Sequence, residues 1–440
     1  AAELSDVLSQ ELVQLLIDDC VVAPATDNAE LHIALDVRPH VIADEERFVF
    51  SDLDASMTDI VPGHDHVLGV GAASLSLLSA APQTPVSSVL DLGTGSGVQA
   101  LAQAHVAKRV VATDVHGRAL DLARATFAAN GVDNVELRQG SWFEPVAGER
   151  FDRIVANPPF VVGLPEVGHV YRDSGLDLDA ASELVVSGAV EHLAEGGRAF
   201  ILGSWVHSKD ASWQSRVASW LPSTGVNAWV LQRDVVDPGM YISTWLRDES
   251  IDPRSAEGIE RTERWLEHFA QNNVTGIGFG WIVLEDIGDA ATEVTAEELS
   301  QHFTDRLAPE VEEYFLRSDW LRGKSFAEVL DAQYMLRPGV ALEEVSLADT
   351  ETGIGFAPEV IRVTRTDGPR FTHTVDAGVL SVIRGLNPQG LALRDVTGLY
   401  AAANGINDEA ALHELEQSSS AAIVDLVRHG VVLPAEIAAI

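Results

Sequence analysis

The chain has 440 residues, of which 46% are hydrophobic and 22% charged, and its formal net charge is −38. That length exceeds one ordinary core and predicts two or three domains. The apolar content and a mean hydropathy of +0.08 exclude a disordered chain, and no apolar run is long enough to span a bilayer.

The N-terminal third opens with a helix expected over Leu4–Asp19, where Leu8, Leu12, Leu15 and Leu16 recur at helical spacing. The first residues lack the basic-then-apolar pattern of a secretory signal. Cys20 is the single cysteine. It rules out an intramolecular disulfide and a cysteine-rich zinc site, fits a reducing cytoplasm, and reads as packed in a helix rather than as a catalytic thiol. Strands are expected over Leu31–Val37 and Arg47–Phe50, a connection over Asp52–Pro62, and a small-residue helix over Gly69–Ala80.

From Ser88 strands and helices alternate. Strands are predicted at Ser88–Asp91, Arg109–Asp114, Val135–Arg138, Phe151–Ala156 and Ala199–Leu202. Helices are predicted at Val98–Ala104, Arg118–Asn130 and Leu184–Leu193. This order implies a parallel sheet covered by helices on both faces, with ligands at the carboxyl ends of the strands. Ala211–Leu221, Ala228–Arg233 and Val274–Leu284 are candidates to complete the sheet, with helices near Met240–Leu246 and Ile259–Gln271. From about Ala290 the pattern reads as a separate domain. It has amphipathic stretches at Glu297–Phe303 and Val311–Leu316, β-rich segments near Val360–Val363 and Arg370–Val375, helices over Leu393–Ala403 and Glu409–Arg428, and a last apolar run at Val431–Pro434.

Two motifs carry chemistry. In the first, Asp91-Leu-Gly93-Thr94-Gly95-Ser-Gly97 follows a strand and opens a helix. Glycines there permit a tight turn and close approach of a ligand to the backbone. A carboxylate just ahead of the turn opposes a pyrophosphate and suits an ammonium group. S-adenosylmethionine has that ammonium and no phosphate, which favours it over a dinucleotide. Asp114, about 20 residues further on and at the end of the next strand, is placed to hold ribose hydroxyls. The plain structural alternatives are that Asp91 caps a helix and Asp114 makes a turn.

In the second motif, Asn157-Pro158-Pro159-Phe160 ends the strand Phe151–Ala156. Two prolines stiffen the turn and remove two amide donors. The acceptors left are Asn157 Oδ1 and the Pro158 carbonyl, which suffice for the two hydrogens of an amide or amino NH2. Holding them aligns a poorly nucleophilic nitrogen and stabilises the charge that develops on it, while Phe160 stacks on the planar group. An ordinary Asn-Pro turn is the alternative reading.

With these motifs in order, residues from about Val67 to Leu246 resemble a class I S-adenosylmethionine-dependent methyltransferase of the small-domain superfamily. They are similar to HemK-type glutamine methyltransferases and to ribosomal RNA guanine N2-methyltransferases, and the overall layout resembles uncharacterised actinobacterial methyltransferases. The resemblance implies a Rossmann-like, seven-stranded α/β domain. It assigns Asp91, Gly93, Thr94, Gly95 and Gly97 to the methionine end of the cofactor, Asp114 to ribose, and Ser141 and Trp142 to adenine. It assigns Asn157, Pro158 and Phe160 to the acceptor, and a supporting role to His66–Ser74. HemK-type enzymes carry Asp where Ser141 stands and Tyr where Phe160 stands, so one adenine contact is weakened.

The expected organisation is an N-terminal helical and β extension (1–60), a methyltransferase domain (61–286) and a C-terminal α+β domain with a winged-helix-like pattern (290–440). Asp408, Glu414 and Glu416 stand there where a DNA reader needs basic residues. Arg362, Arg365 and Arg370 form the best local basic group, on a β-hairpin. The segment 161–179 is a candidate substrate wall. His64, Asp65 and His66 lack the further ligands of a metal site, and five of the nine tryptophans, Trp205, Trp213, Trp220, Trp229 and Trp245, read mostly as core or interface, with one available to an acceptor pocket. The expected activity is N-methylation of a protein glutamine or RNA base in the cytoplasm. The alternatives are a small-molecule acceptor or a non-catalytic cofactor-binding module. With lysine only at Lys108, Lys209 and Lys324, the acidity opposes polyphosphate and DNA and tilts the choice toward a protein or small molecule.

Overall fold

The computed structural model describes residues 8–18, 21–24, 31–53, 63, 65–165, 173–249 and 251–438. Cys20, His64, Tyr171 and Arg172 lie outside them. The chain forms two units, residues 1–298 and 299–440.

The first unit begins with α1 (Gln10–Asp18), the strand pair β1 (Val22–Pro24) and β2 (Leu31–Ile33), and the hairpin β3 (Leu35–Ile42) and β4 (Glu45–Asp52). After α2 (Ala72–Ala80) the expected alternation follows as β5 (Val86–Leu92), α3 (Val98–Ala104), β6 (Ala107–Asp114), α4 (Gly117–Ala129), β7 (Val135–Gln139), β8 (Phe151–Ala156), α5 (Ala180–His192) and β9 (Leu193–Ser208). It continues through α6 (Trp213–Ala218), β10 (Thr224–Val236), α7 (Pro238–Asp248), α8 (Ala256–Gln271), β11 (Val274–Ala291) and β12 (Glu293–Glu298). The central strands β5, β6 and β8 are buried over consecutive residues at their carboxyl halves, as a sheet covered on both faces requires.

The sheet order is β12-β10-β11-β9-β8-β5-β6-β7. The seven strands from β10 to β7 are the expected Rossmann-like set. The eighth, β12, pairs in parallel with β10 from Asn227↔Glu293 to Gln232↔Glu298. It occupies residues that had read as the start of the C-terminal domain, and only Glu297 and Glu298 overlap the expected amphipathic stretch Glu297–Phe303. Glu297 and Glu298 stay in the sheet because Trp229 Nε1 donates to Glu297 at 2.9 Å and Gln232 Nε2 to Glu298 at 3.0 Å. Ala211–Leu221, a strand candidate, instead contains the helix α6, whose N-cap Ser212 accepts from Ser215 N. Trp205, Trp213, Trp220 and Trp229 are core residues, as expected.

The β3–β4 hairpin turns at Ala43 and Asp44, both at positive φ, the geometry of a tight two-residue turn. Its second strand docks on α4. Phe48 N donates to Asn130 Oδ1 and Phe50 N to Thr126 Oγ1, each at 3.0 Å. Asp52 then accepts from Val67 N at 2.8 Å and pairs with Arg118, which steers the chain toward the segment ahead of α2.

The second unit contains α9 (Ala308–Leu321), α10 (Phe326–Asp331), β13 (Tyr334–Leu336), β14 (Val340–Ala348), β15 (Phe356–Arg365), β16 (Thr372–Val375), α11 (Ala377–Gly385), α12 (Leu393–Ala403), α13 (Glu409–Arg428), β17 (Val432–Pro434) and α14 (Ala435–Ala438). β14, β15 and β16 form an antiparallel sheet, and β13 pairs with β17. Leu330, Tyr334, Ile383, Leu393, Val427 and Val432 share its core. Arg365 is not part of a surface basic group. Its side chain is 2% exposed, bound to Glu310 at 2.6 Å, to Asp367 at 3.0 Å and to the His429 carbonyl at 3.0 Å. Arg317, fully buried, meets the other oxygen of Glu310 at 2.5 Å. A guanidinium needs such partners once burial removes its water. Arg362 faces Glu343 at 3.9 Å. Among the described residues no helix is long and apolar enough to cross a membrane.

Glu310 therefore stands between two buried cations. Glu310→Ala should cost the second unit about 3–5 kcal/mol, read as a loss of its unfolding transition in urea on the full chain. A loss below about 1 kcal/mol would show that Arg317 and Arg365 are compensated without it.

Candidate active site

Strand order places the site. β5 is followed on one side by β6 and β7, and the chain then crosses to β8 on the other side, so the carboxyl ends of β5 and β8 flank a topological switch point. There the register sets Leu92 beside Ala156. The glycine turn leaves β5 and the Asn157 turn leaves β8 at the same edge, with Asp114 ending β6 and Gly140 following β7.

A cavity of about 700 Å³ opens at this edge, within the size range of cofactor sites. Its wall includes Gly93, Thr94, Gly95, Asp114, Ser141, Trp142, Asn157, Pro158 and Phe160. The structure thus brings together nearly all of the residues singled out in the sequence. Val67, Leu68, Gly69 and Ala72–Ser74 contribute the wall expected from the segment before and within α2, and Asp173 and Ser174 that expected from 161–179. The bridge between Gly163 and Leu178 closes that segment at its base.

Gly97 and Asp91 do not line the cavity; they shape the loop from behind. Gly97 has φ +87°, and a Cβ on it would lie 2.9 Å from the Phe127 ring, so only glycine lets α3 start this close to α4. Asp91 is 1% exposed, and its Oδ2 accepts from Thr94 Oγ1 at 2.6 Å and from Ala100 N at 2.9 Å. The carboxylate expected to meet an ammonium is instead the distant cap of α3, the structural alternative for this residue. Burial pushes its pKa up to about 6, against the two hydrogen bonds that favour the charged form.

Asp114 does face the cavity. Its Oδ2 accepts from Gly95 N and its Oδ1 from His116 N, each at 3.0 Å. Burial raises its pKa, opposed by those two amides. A carboxylate offers about four lone-pair directions, more than these amides use. Trp142 has φ +48°, a strained setting for a bulky residue that places its ring between the core and the cavity.

The Asn157–Phe160 turn is held at its far side. Ser204 Oγ donates to the Phe160 carbonyl at 2.5 Å, and Tyr241 Oη accepts from Val162 N at 2.7 Å. The Phe160 ring meets Phe279 edge-on with centroids 5.4 Å apart. On the near side, Asn157 Oδ1 is buried and has no hydrogen-bond partner. Thr113 Oγ1 and Gln99 Oε1 share that condition, and both residues line the cavity. Buried acceptors of this kind cost about 1–3 kcal/mol each when unpaired, so they mark where a donor-bearing ligand gains most. Motif reading missed Thr113 and Gln99, which look like ordinary strand and helix positions, and it did not assign Trp245 or Asp248 of α7 to the wall. Among the described residues that line the cavity there is no lysine or arginine. The described residues contain no group of three or more potential metal ligands.

Residues 68–209 match the family described as Methyltransferase small domain, and residues 312–434 match a Domain of unknown function (DUF7782). The first unit therefore contains a segment that matches a methyltransferase family model over residues 68–209. The chain is similar to a release factor glutamine methyltransferase of Xylella fastidiosa, with 37% identity over 131 residues covering 27% of this chain and 46% of the relative. It is also similar to a ribosomal RNA small subunit methyltransferase C of Escherichia coli, with 35% identity over 172 residues covering 39% and 46%. The chain thus spans about half the length of the curated relatives it matches. A T. thermophilus 16S rRNA N2 methyltransferase, solved in complex with AdoMet and guanosine, aligns with 23% identity and a TM-score of 0.33, covering 44% of this chain and 47% of that one.

The raised acidity of Asp91 has a measurable sign. The unfolded chain releases this proton near 3.8 and the folded chain near 6. Between those values the folded state holds the extra proton, so this group makes stability fall as pH rises, by about 3 kcal/mol in full. Wild-type stability relative to Asp91→Asn should therefore drop between about pH 4 and pH 6.5 in denaturant titrations. A difference that stays flat across that window contradicts the buried-carboxylate account.

Proposed function

We propose that this chain is an S-adenosylmethionine-dependent N-methyltransferase that acts on a planar amide or amino nitrogen, of glutamine in a protein or of a base in RNA. The carrying observation is the buried, unpartnered Asn157 Oδ1 of a residue that lines the same cavity as the glycine loop. The family match over 68–209 supports the class, and the names of the relatives above support the two acceptor types. A cytoplasmic site of action belongs to the same reading.

The lining fits the cofactor. Asp114 has lone pairs left for ribose hydroxyls, and Ser141 and Trp142 offer a polar edge and a flat face for adenine. When bound, S-adenosylmethionine supplies an electrophilic methyl on its sulfonium. Asn157 Oδ1 and the Pro158 carbonyl accept the two hydrogens of the acceptor NH2 and turn its lone pair toward that methyl. The same two oxygens stabilise the positive charge that grows on nitrogen, in a site whose Asn157 oxygen is already shielded from water. Phe160 covers one face of the planar group. Ser204 and Tyr241 keep the turn from drifting.

Calorimetric titration should show S-adenosylmethionine binding to the wild-type chain and to Asn157→Ala with affinities within about threefold. Transfer of labelled methyl to a glutamine- or guanine-bearing acceptor should fall by roughly 10²–10³ in the variant. Undiminished transfer by Asn157→Ala would remove the role given to that residue.

A further inference from the structure

The order of strands sets an order of subsites along the cavity edge. β7, at one side of the sheet, is followed by β6, β5 and β8. Ser141 and Trp142 come after β7, and Asp114 ends β6. A ligand with adenine at the first and ribose at the second therefore meets the end of β5 with whatever its ribose carries. In S-adenosylmethionine that is the sulfonium and the amino acid. The wall there belongs to the glycine turn, the first turn of α3 and the start of α2, and includes Gly95, Gln99 and Ser74.

The amino acid carries an ammonium, which needs acceptors. Asp91 is turned away from the cavity and spends its Oδ2 on Thr94 and the Ala100 amide. Gln99 is 5% exposed and lines the cavity. Its Nε2 donates to the Ser74 carbonyl at 2.9 Å. That bond settles which way the amide points, because a carbonyl receives only from the nitrogen. The Oε1 is then the atom left over, and it is buried without a partner. An amide oxygen accepts and never donates, so the ligand group that satisfies it carries hydrogens; a carboxylate would meet it lone pair to lone pair. The terminal torsion of a glutamine is soft, so Oε1 can swing to a ligand while Nε2 keeps Ser74. Thr94 and Ser96, on the same stretch of wall, give their hydroxyl hydrogens to Asp91 and to the Leu68 carbonyl.

We propose that Gln99 Oε1 holds the ammonium of the cofactor's amino acid, so that a neutral amide takes the part that the sequence suggests for Asp91. This rests on the methyltransferase reading above. The ammonium donates to Oε1, which polarises the amide and strengthens the Nε2 bond to Ser74. Gln99 thereby links occupancy of the cofactor site to the first turn of α2, part of the wall over the same subsite.

The test is a thermodynamic cycle between this side chain and the ligand's amino group. The probes are S-adenosylhomocysteine and its deamino analogue, in which hydrogen replaces the amino group, each titrated calorimetrically into the full chain at neutral pH. The wild-type chain should bind S-adenosylhomocysteine about tenfold or more tighter than the analogue, the size of a hydrogen bond to a charged group. Gln99→Met, similar in length, should bring the two ligands to within about twofold of each other and leave the analogue's own affinity within about threefold of wild type. Binding of the analogue shows that the variant is folded. Gln99→Glu, when ionised, cannot donate to Ser74 but keeps an acceptor, and should retain the preference. A residue that only tied α2 down would fail in both variants and for both ligands alike. Equal wild-type affinity for the two ligands, a preference that survives in Gln99→Met, or its loss in Gln99→Glu overturns the proposal. Failure of S-adenosylhomocysteine to bind the wild-type chain removes the methyltransferase reading instead, and shows before any variant is made.

Discussion

In the central sheet Leu92 of β5 lies beside Ala156 of β8, and the candidate site hangs on that pairing. A strand register cannot slip by one residue without turning every side chain to the opposite face. Here both strands are buried on both faces along their carboxyl halves, so slippage would drive Leu90 or Ile154 into the layer packed on the opposite face. The glycine turn and the Asn157 turn therefore leave the sheet side by side because the core demands it. β6 and β7 extend the same edge, which brings Asp114, Ser141 and Trp142 to the cavity without any contact dedicated to that purpose.

Behind the edge, carboxylates hold the backbone in place. Asp91 ties Thr94 to the first turn of α3, Asp114 takes the Gly95 amide, and Asp52 takes the Val67 amide ahead of α2. In an acidic chain with few lysines these anions find backbone N–H groups as partners, which are charge-assisted donors fixed in direction. Asp91 shows what this costs. Its burial makes ionisation unfavourable, yet the position gives α3 a cap that no residue at the glycine-rich helix start can supply, since Gly97 has no side chain. A carboxylate ahead of a glycine turn can thus be read as a ligand contact from sequence while serving the loop in the fold.

The legible part of the site was what strand ends carry. Asn157, Asp114 and the glycines follow strands whose apolar runs are plain in the sequence, and their neighbourhood follows from parallel topology alone. Thr113 and Gln99 were not legible, because their pocket-facing direction depends on strand and helix phase rather than on residue type. Trp245 and Asp248 were hidden for another reason. The hydrogen bond from Val162 N to Tyr241 Oη and the packing of Val161 and Val162 with Tyr241, Ile242 and Leu246, residues far apart in sequence, show that α7 returns to the Asn157 turn. Arg365 was misread because a strand position in a polar stretch looks exposed until Glu310 and Asp367 are placed around it. β12 was missed because its six residues alternate too weakly between faces to declare a strand without β10 as partner.

The site is tightly held on one side and unsatisfied on the other. Ser204 and Tyr241 fix the turn through Phe160 and Val162, and β5 pins its strand, so Asn157 has little freedom to relax. A free asparagine would rotate its amide toward water or toward a donor; this one keeps Oδ1 buried without a donor. Thr113 and Gln99 hold further unpaired oxygens in the same wall. Such acceptors lower stability unless a ligand brings hydrogens to them. Evolution tolerates local conflict of this kind where function requires it and the rest of the fold can sustain it. The strongly buried sheet behind them, with Leu90, Val111, Ile154 and Ile201 fully shielded, supplies that reserve. The acceptors stay fixed before any ligand arrives, which is what lets two oxygens orient a nitrogen at the moment of transfer instead of reorganising around it.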